Sequence, residues 1–217
     1  MKTVAFVPIK LNSERLPHKN IKPFTNGEPL IHYILHTLLN VQNIDEIYVY
    51  CSSEEIIPYL PRKVIFLKRD PYFDLSTTPF NEVLSSFAKK IYADVYVLTH
   101  ATAPFLKKES LEIGVNKVKS GKYDSALTVT KMQEFLWKDG RPFNYDVCNI
   151  PRTQDLEKYY IETCGLYVYT RNLILHNRRV GEKPFLIEVS KLEAIDINES
   201  DDFIVADSIY NSMYRKS

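Results

Sequence analysis

A cluster of cations and amide donors follows the first apolar run of the chain. The run ends at Val7, and the polar segment after it carries Lys10, Arg15, Lys19 and Lys22 among asparagine and serine side chains. Cations offset the charge of phosphate oxygens and amide donors orient them, so a segment of this kind suits a triphosphate. A solvated basic turn is the alternative that composition alone leaves open. The predicted nucleotide-binding residues of this segment are Pro8, Ile9, Lys10, Leu11, Asn12, Ser13, Arg15, Lys19 and Asn20.

The same segment contains no glycine. It therefore matches neither the glycine-rich fingerprint of dinucleotide-binding folds nor the Walker A loop with its Gly-Lys-Ser/Thr ending. An NAD-dependent enzyme is disfavoured for this reason. A nucleotide at this place would have to be held by side-chain cations and amides.

Short apolar runs alternate with helical patterns, which predicts βα units and a mainly parallel sheet. This order places the cationic segment at the carboxyl end of the first strand, where ligands bind in Rossmann-like, doubly wound sheets. Predicted helices begin near Pro29, after Thr78 as an N-cap with Pro79 in the first turn, at Lys108 and at Asp201. The predicted strands are Thr3–Val7, Ile47–Cys51, Val64–Leu67, Val95–Leu98, Ala126–Thr130, Gly165–Tyr169 and Leu192–Ile197.

An irregular, aromatic stretch interrupts this pattern between residues 132 and 163, and it includes Trp137. A long segment of this kind inside an α/β domain is usually a functional flap or a dimerisation arm. We therefore expect one domain over residues 1–217, with the 132–163 segment as an insertion. Its aromatic side chains are expected to pack a homodimer interface or, less simply, to contact a sugar.

Bulk composition bounds the class of protein. The 217 residues are 45% hydrophobic and 25% charged, which is ordinary for a globular chain able to bury a core without disulfides or metal. The formal net charge of +1 lacks the basic excess of a nucleic-acid-binding protein. Three distant cysteines argue against a disulfide framework or a zinc cluster, and no apolar run approaches the roughly 18 residues of a membrane span. We expect a cytoplasmic protein without a nucleic-acid or membrane partner.

The cationic segment resembles the N-terminal signature of a known enzyme family, the CMP-sialic acid synthetases or acylneuraminate cytidylyltransferases. The match is Ser13-x-Arg15-Leu16-Pro17-His18-Lys19-Asn20, followed by Pro29-Leu30-Ile31 at the start of a helix. Later stretches resemble the family in the same order, over nearly the whole chain. They are Ser52-Ser53-Glu54-Glu55-Ile56, Arg69 with Thr77-Thr78 and Asn81, Thr99-His100-Ala101-Thr102-Ala103-Pro104, Pro151-Arg152-Thr153-Gln154-Asp155, Glu162-Thr163-Cys164-Gly165, and Ile195-Asp196-Ile197-Asn198 with Asp202-Phe203.

The resemblance implies a GT-A-like nucleotidyltransferase that forms a homodimer and takes CTP and an acidic sugar. The implied reaction is attack of a sugar hydroxyl on the α-phosphorus of CTP, with release of pyrophosphate. Lys19 and Arg15 would grip phosphate, and Asp196 would hold Mg²⁺ together with Asn198. An N-cap of the final helix is the alternative role for Asp196, and Asp202 is expected to serve the dipole of that helix.

Further nucleotide contacts are implied at Ser52, Arg69 and Asn81. For Arg69, a structural ion pair with Asp70 or Asp74 is an equally good interpretation. Base selection has no side-chain signature, because cytosine would be read by backbone groups near Pro8–Leu11 and after Cys51.

The chain departs from the family pattern near the expected site. Glu14 stands where many members have Lys, Lys10 where members have Arg, and Asn198 where a second Asp is common. On the acceptor side, His100 replaces Gln and Cys164 replaces Asn. The acceptor is therefore not necessarily ordinary sialic acid.

The predicted sugar-binding residues are His100, Thr102, Arg152, Gln154 and Cys164. His100 could bind a hydroxyl or a carboxylate or act as a base, and the alternative is a hydrogen-bonded histidine beneath a loop. Arg152 and Gln154 could instead tie the aromatic segment to the core.

Two other functions stay open at the level of sequence. One is a nucleotidyltransferase that acts on a sugar phosphate or polyol phosphate, for which Arg178 and Arg179 are the obvious spare basic pair. The other is a catalytically silent nucleotide-binding homologue, which the departures from the family pattern at Glu14 and Asn198 leave open.

Overall fold

The computed structural model describes residues 1–214, which are built around one seven-stranded sheet. Its strands are β1 Thr3–Ile9, β2 Glu46–Cys51, β3 Val64–Lys68, β4 Val95–Thr99, β5 Ser125–Met132, β8 Tyr159–Thr170 and β9 Pro184–Glu188. The strands β6 Trp137–Lys138 and β7 Arg141–Pro142 form a separate hairpin. The order in the main sheet is β3-β2-β1-β4-β8-β5-β9, and β8 runs antiparallel to both of its neighbours. The other pairs are parallel, which confirms the predicted architecture.

The α-helices are α1 Leu30–Leu39, α2 Phe80–Lys90, α3 Lys108–Lys119, α4 Arg171–Leu175 and α5 Ser200–Tyr214. Short 3-10 helices lie at Lys19–Ile21, Glu54–Tyr59, Pro71–Asp74 and Thr153–Asp155. Within residues 1–214, no helix has the length and apolar character needed to cross a membrane.

Apolar side chains cover both faces of the sheet, which is why its parallel strands appear in the sequence as continuous apolar runs. In β1, Ala5 and Val7 belong to the core that includes α1 and α3, whereas Phe6 belongs to the core that includes α2. The ring of Phe6 stacks on Phe87 of α2 with a centroid distance of 4.0 Å. The two helical layers fix the sheet between them and leave the strand ends to carry polar loops.

The carboxyl ends of β1, β2, β3 and β4 meet at one edge because these strands are parallel. That edge carries the loop after β1, Ser52 after β2, Arg69 after β3 and His100 after β4. A small third core then packs the first loop against residues 195–198 and α5. Its buried members are Leu16, Phe24, Leu30, Ile197, Phe203 and Ala206.

The predicted strand at Leu192–Ile197 is wrong. The structure has no strand over residues 192–197, and the chain instead adds β9 to the edge of the sheet. Ile197 is fully buried, but its N–H donates to the carbonyl of Thr102 at 2.8 Å and joins no strand ladder. The apolar pattern there reflects burial beneath a loop. The strand β9 was not predicted from the sequence.

The first strand is longer than its sequence predicts, since β1 continues through Pro8 and Ile9. Pairing of β1 with β4 ends at Phe6, so by position 8 the strand is paired on one side, as an edge strand is. Proline is tolerated in such a place because no ladder hydrogen bond is lost on the open side.

The start of α2 and the extent of the aromatic segment also differ from expectation. The helix begins after Pro79, and Thr78 does not cap it because its hydroxyl donates to the carbonyl of Tyr72 at 2.8 Å. The strand β8 already begins at Tyr159, so the segment between β5 and β8 runs over residues 133–158. We call residues 133–158 the flap. The short helix α4 had no sequence signal that we recognised.

Candidate active site

A cavity of about 300 Å³ opens at the carboxyl end of β1. Its lining residues are Lys10, Ser13, Glu14, Arg15, Leu16, Lys19, Ser76 and Asn198. The loop that forms most of this wall is closed at its neck by Asn20, whose Nδ2 donates to the carbonyl of Lys10 at 2.9 Å. The structure thus brings Lys10, Arg15 and Lys19 to one cavity, whereas the fourth predicted cation, Lys22, lies outside its wall with Nζ over the ring of Phe203. It also gives the predicted phosphate donor Asn20 a bond within the loop. The cavity wall also includes Ser76, which the sequence did not single out.

Lys19 is the buried cation of this wall, with 9% of its surface exposed. Its Nζ donates to the carbonyl of Ile197 at 2.7 Å, which ties the first loop to residues 197–198. Burial lowers the pKa of Lys19, while the carboxylate of Asp196 opposes that shift and Arg15 adds to it. A lysine in this position sets a fixed positive charge at the cavity wall, within electrostatic range of Asp196.

Asn198 links Arg15 to Asp196. Its Oδ1 accepts a hydrogen bond from Nη2 of Arg15 at 3.0 Å, and its Nδ2 donates to Oδ2 of Asp196 at 2.9 Å. Arg15 also lies 3.9 Å from Glu199, but both of these side chains are exposed and such a pair contributes little. The amide of Asn198 therefore orients its two charged neighbours. No donor among the described residues reaches Oδ1 of Asp196, so that oxygen is available to a ligand.

Asp202, and not Asp196, caps the last helix. One oxygen of the Asp202 carboxylate accepts from the backbone N–H groups of Asn198 and Glu199, at 2.8 and 2.9 Å. These two donors hold the pKa of Asp202 below its ordinary value. The capping role that sequence left open for Asp196 is therefore taken by another carboxylate.

The carboxylate of Asp196 is the predicted Mg²⁺ ligand, and its fit depends on what else could complete the coordination. Among residues 1–214, no group of three or more His, Cys, Asp or Glu side chains could hold a metal by itself. Magnesium at phosphate-transfer sites typically uses one or two carboxylates and completes its shell with substrate oxygens and water. The open oxygen of Asp196 provides one such carboxylate. The predicted ligand Asn198 is less suited, because its carbonyl oxygen already accepts from Arg15.

A buried ion pair stands beside the cavity. Arg69 is 5% exposed and donates to Oδ1 of Asp74 through Nε at 3.1 Å and Nη2 at 2.6 Å. Ser52 donates to the other carboxylate oxygen, and Nζ of Lys10 donates to the Asp74 carbonyl at 3.3 Å. The structure therefore shows the ion-pair alternative for Arg69. A nucleotide contact for Ser52 or Arg69 stays a prediction.

Asn81 lies near the start of α2 and outside the cavity wall. Its Nδ2 donates to the carbonyl of Asn177 at 2.9 Å, which joins α2 to the loop after α4. Its predicted role in nucleotide binding has no support from this contact.

His100 is half-buried at the end of β4, with its ring 5.6 Å from that of Phe80. Burial lowers the pKa of His100 to about 4; Asp196 opposes this shift, and the positive charges of Arg179 and Lys19 add to it. The imidazole is neutral at pH 7 and is a weak base there, which disfavours a role as general base. The side chain has no hydrogen-bond partner within the described part of the chain, so the alternative of a hydrogen-bonded histidine does not hold.

The depressed pKa of His100 predicts a loss of stability in mild acid. The unfolded chain takes up a proton near the ordinary value of 6.5, whereas the folded state resists protonation down to about 4. The free energy of unfolding should therefore fall as the pH drops from 6.5 to 5, by about 2 kcal/mol more in the wild type than in His100→Gln. Urea unfolding at pH 7, 6 and 5 measures this difference. Parallel stability curves for the two proteins would contradict the assigned pKa.

The remaining predicted sugar ligands lie outside the cavity wall. Arg152 is exposed, precedes the 3-10 helix Thr153–Asp155 and pairs with Asp155 of that helix, at 2.8 Å between Nε and Oδ2. The carbonyl of Gln154 accepts from Gln133, a contact within the flap, so neither residue is seen to tie the flap to the core. Cys164 is exposed and has a positive φ of 59°. Their roles in sugar binding stay predictions.

Thr102 contributes a backbone contact. Its carbonyl accepts the N–H of Ile197, so the turn after β4 supports the segment that carries Asp196. Any contact between the Thr102 side chain and a sugar stays a prediction.

A cationic loop after β1, a carboxylate facing it and a doubly wound sheet are features of α/β nucleotidyltransferases. The solved structure of CMP:2-keto-3-deoxy-manno-octonic acid synthetase in complex with CTP has this fold, with a TM-score of 0.74 and 15% identity over 98% of this chain and 100% of that chain. The structure of 4-diphosphocytidyl-2C-methyl-D-erythritol synthase from Anaerococcus prevotii is similar at a TM-score of 0.69 and 14% identity, over 97% of this chain and 96% of that chain. Identities this low show a shared fold and no more.

The chain belongs to the cytidylyltransferase family, because the family model of that description matches residues 4–203. It is 30% identical to pseudaminic acid cytidylyltransferase from Campylobacter jejuni over 186 residues, which are 78% of this chain and 79% of that protein. It is 25% identical to N-acylneuraminate cytidylyltransferase from Oncorhynchus mykiss over 214 residues, which are 94% of this chain and 49% of that protein. The chain thus spans about half the length of the N-acylneuraminate relative.

Proposed function

We propose that this protein transfers CMP from CTP to a sialic-acid-like sugar acid, with Mg²⁺, and releases pyrophosphate. The observation that carries the proposal is the cavity after β1, where Lys10, Arg15 and Lys19 form the wall and Asp196 lies in electrostatic range. Three cations at one wall would offset the charge of a triphosphate, and the open carboxylate of Asp196 would hold the metal ion that accompanies it. The names of the curated relatives support an acidic sugar as the acceptor.

In the proposed reaction, a hydroxyl oxygen of the sugar attacks the α-phosphorus of CTP and releases its proton to water. The bond from the α-phosphorus to the bridging oxygen breaks, and pyrophosphate leaves with that electron pair. Lys19 and Arg15 offset the charge of the phosphates, and Lys10 adds a third cation at the wall. Magnesium, bound through Asp196, would neutralise phosphate charge when present. The protein contributes mainly alignment and electrostatics, as phosphoryl chemistry requires.

The Ser52–Arg69–Asp74 cluster has a positioning role in this proposal. It holds the Pro71–Asp74 helix against the ends of β2 and β3, next to Lys10. We expect the nucleotide to pass between this helix and the first loop, with the base read by backbone groups near Pro8–Leu11 and after Cys51. We also propose that the reaction takes place in the cytoplasm. The three cysteines are free thiols, which are typical of a reducing compartment.

Pyrophosphate release tests the proposal directly. The protein is assayed with Mg²⁺, each of the four nucleoside triphosphates, and N-acetylneuraminate, pseudaminate and 2-keto-3-deoxy-manno-octonate as acceptors. Release that requires CTP and one of these acids is the expected result. Binding of CTP without release from any pair would instead indicate a catalytically silent homologue, and release with a sugar phosphate would indicate a different acceptor class.

The proposed assembly is a homodimer formed through the flap. Trp137 is 62% exposed and Ile150 is 65% exposed, and Phe143 and Val147 in the same segment are also exposed. Apolar side chains gathered in one exposed segment favour a protein partner. A second copy of this chain is the simplest one.

Replacing Trp137 with serine should therefore weaken self-association by about 30-fold or more, as for an aromatic anchor of an interface. Light scattering after size-exclusion chromatography measures the mass across a dilution series. The matched control is Ile204→Ser, which changes a similarly exposed side chain on α5, at 60% exposure. A wild-type protein that runs at the mass of one chain at all concentrations would contradict the dimer.

A further inference from the structure

A second polar cluster lies between the start of α2 and strand β8. The guanidinium of Arg179 lies over the ring of Tyr167 in β8, 3.9 Å from the ring centroid, and 5.7 Å from the ring of Phe80 in α2. Phe80 in turn contacts His100, at the end of β4. These contacts lead from Arg179 to the same sheet edge that carries the cationic cavity.

The guanidinium of Arg179 is held in place but is not fully paired. Its Nη2 donates to the Tyr167 hydroxyl at 3.2 Å and lies 3.9 Å from Glu162. Within residues 1–214, Nε and Nη1 have no acceptor, and 29% of the side chain is exposed. Stacking on an aromatic ring fixes the plane of the guanidinium, so its free N–H groups form a preorganised fork for a planar anion.

The two adjacent arginines have separate roles. Arg178 is hydrogen-bonded within its own loop, where Nη1 donates to Glu182 at 2.6 Å and Nε donates to the carbonyl of Val180 at 3.1 Å. Arg179 is therefore the arginine of this pair that keeps free N–H groups, and the carboxylate of Glu162 lies nearby. Because Glu162 already offsets part of its charge, this guanidinium accommodates the single charge of a carboxylate better than the double charge of a phosphate.

His100 cannot supply the positive charge for such an anion. Its pKa is lowered to about 4, first by burial, so the ring is neutral at pH 7. It still has nitrogen atoms without a hydrogen-bond partner in the described chain, and these suit a sugar hydroxyl. Charge recognition on this side of the site is thereby left to Arg179.

We infer that Arg179 binds the carboxylate of the acceptor and makes the site selective for sugar acids over phosphate-bearing acceptors. The inference rests on the proposed function, since it names the residue that would bind the acceptor sugar in that same site. Tyr167 is the positioning residue, because it stacks on the guanidinium and accepts its hydrogen bond. The hydroxyl of Tyr167 in turn donates to Glu162, which fixes the ring.

The test compares each of the three sugar acids with its methyl ester, which has the same shape without the charge. Equilibrium binding is measured by calorimetry for the wild type, R179Q and the neighbouring control R178Q. The wild type and R178Q should bind at least one acid about 10–100-fold more tightly than its ester, as expected for a charge-assisted pair. In R179Q that preference should fall to near unity, with CTP affinity unchanged. If R179Q does not fold, R179M serves instead, because its stem still covers Tyr167.

The binding readout separates this inference from the proposed reaction. An acid-over-ester preference that survives in R179Q or R179M overturns the role of Arg179, even if CTP-dependent pyrophosphate release occurs. A wild type without any such preference overturns it as well. A preference that depends on Arg179 in a protein that releases no pyrophosphate would support the carboxylate site while refuting the transferase reaction.

Discussion

Replacing Lys19 with methionine is expected to lower kcat/KM for CTP by about 10²–10³-fold, the loss typical of removing one charge-stabilising donor from a transition state. The substitution keeps the length and apolar stem of a side chain that is 9% exposed, but removes the charge at the cavity wall. The dissociation constant for CTP should rise too, because ground-state phosphates also meet that charge. Steady-state pyrophosphate release and calorimetric titration with CTP measure the two effects.

Folding must be separated from function in this variant. Loss of Nζ leaves the carbonyl of Ile197 without its donor, at a cost of about 1–3 kcal/mol of unfolding free energy. The assays are therefore run well below the melting temperature of both proteins. Lys22→Met is the matched control, since Lys22 lies over the ring of Phe203 at 4.6 Å and is not part of the cavity wall. A folded Lys19→Met with wild-type CTP affinity and turnover would show that the loop does not bind phosphate.

Asp196→Asn is expected to reduce Mg²⁺-dependent turnover by about 100-fold or more, since a metal contributes several kcal/mol of charge stabilisation. Asparagine preserves the size of the side chain and can still accept the hydrogen bond from Asn198. The melting temperature should move by no more than about 2 °C, because Asp196 does not cap the helix. The Mg²⁺ concentration for half-maximal activity should also rise, and a metal titration of the rate measures it.

Asp202→Asn provides the complementary variant on the same segment. Its carboxylate accepts two backbone N–H groups at the start of α5, and weakening that cap costs about 1 kcal/mol. We expect its melting temperature to fall by roughly 2–4 °C with little change in turnover. Reversed behaviour, in which Asp196→Asn unfolds easily and Asp202→Asn loses activity, would exchange the two roles assigned here.

Local sequence patterns predict much of the fold. Continuous apolar runs marked β2 and β4, because strands covered by helices on both faces need apolar residues at every position. The helix Lys108–Lys119 was predicted with its observed bounds, and Gly121 after it has the positive φ of 74° that ends a helix readily. The failure at Leu192–Ile197 has the same origin as these successes. Apolar periodicity reports burial, and Ile197 is buried under a loop and not in a sheet.

The candidate site divides in a similar way. The sequence predicts Lys10, Arg15 and Lys19 as phosphate-binding residues, because they lie in a polar loop directly after an apolar strand. The sequence also indicated Asp196 as a site residue. It did not show whether Asp196 or Asp202 caps α5. That choice depends on the direction of backbone N–H groups at residues 198 and 199, and only the folded chain defines it.

The parallel α/β order and the charge of the first loop can be predicted from the sequence, since both follow from residues that are near one another in the chain. Which distant residues share a site depends on the folded chain. In the folded chain, Asn198 lies between Arg15 and Asp196. Arg69 pairs with Asp74. Arg179 contacts Tyr167, whereas Arg178 pairs with Glu182. The physical reason is that these contacts depend on how the strand ends and loops pack in three dimensions. Side-chain spacing along one segment carries no information about the segment packed against it.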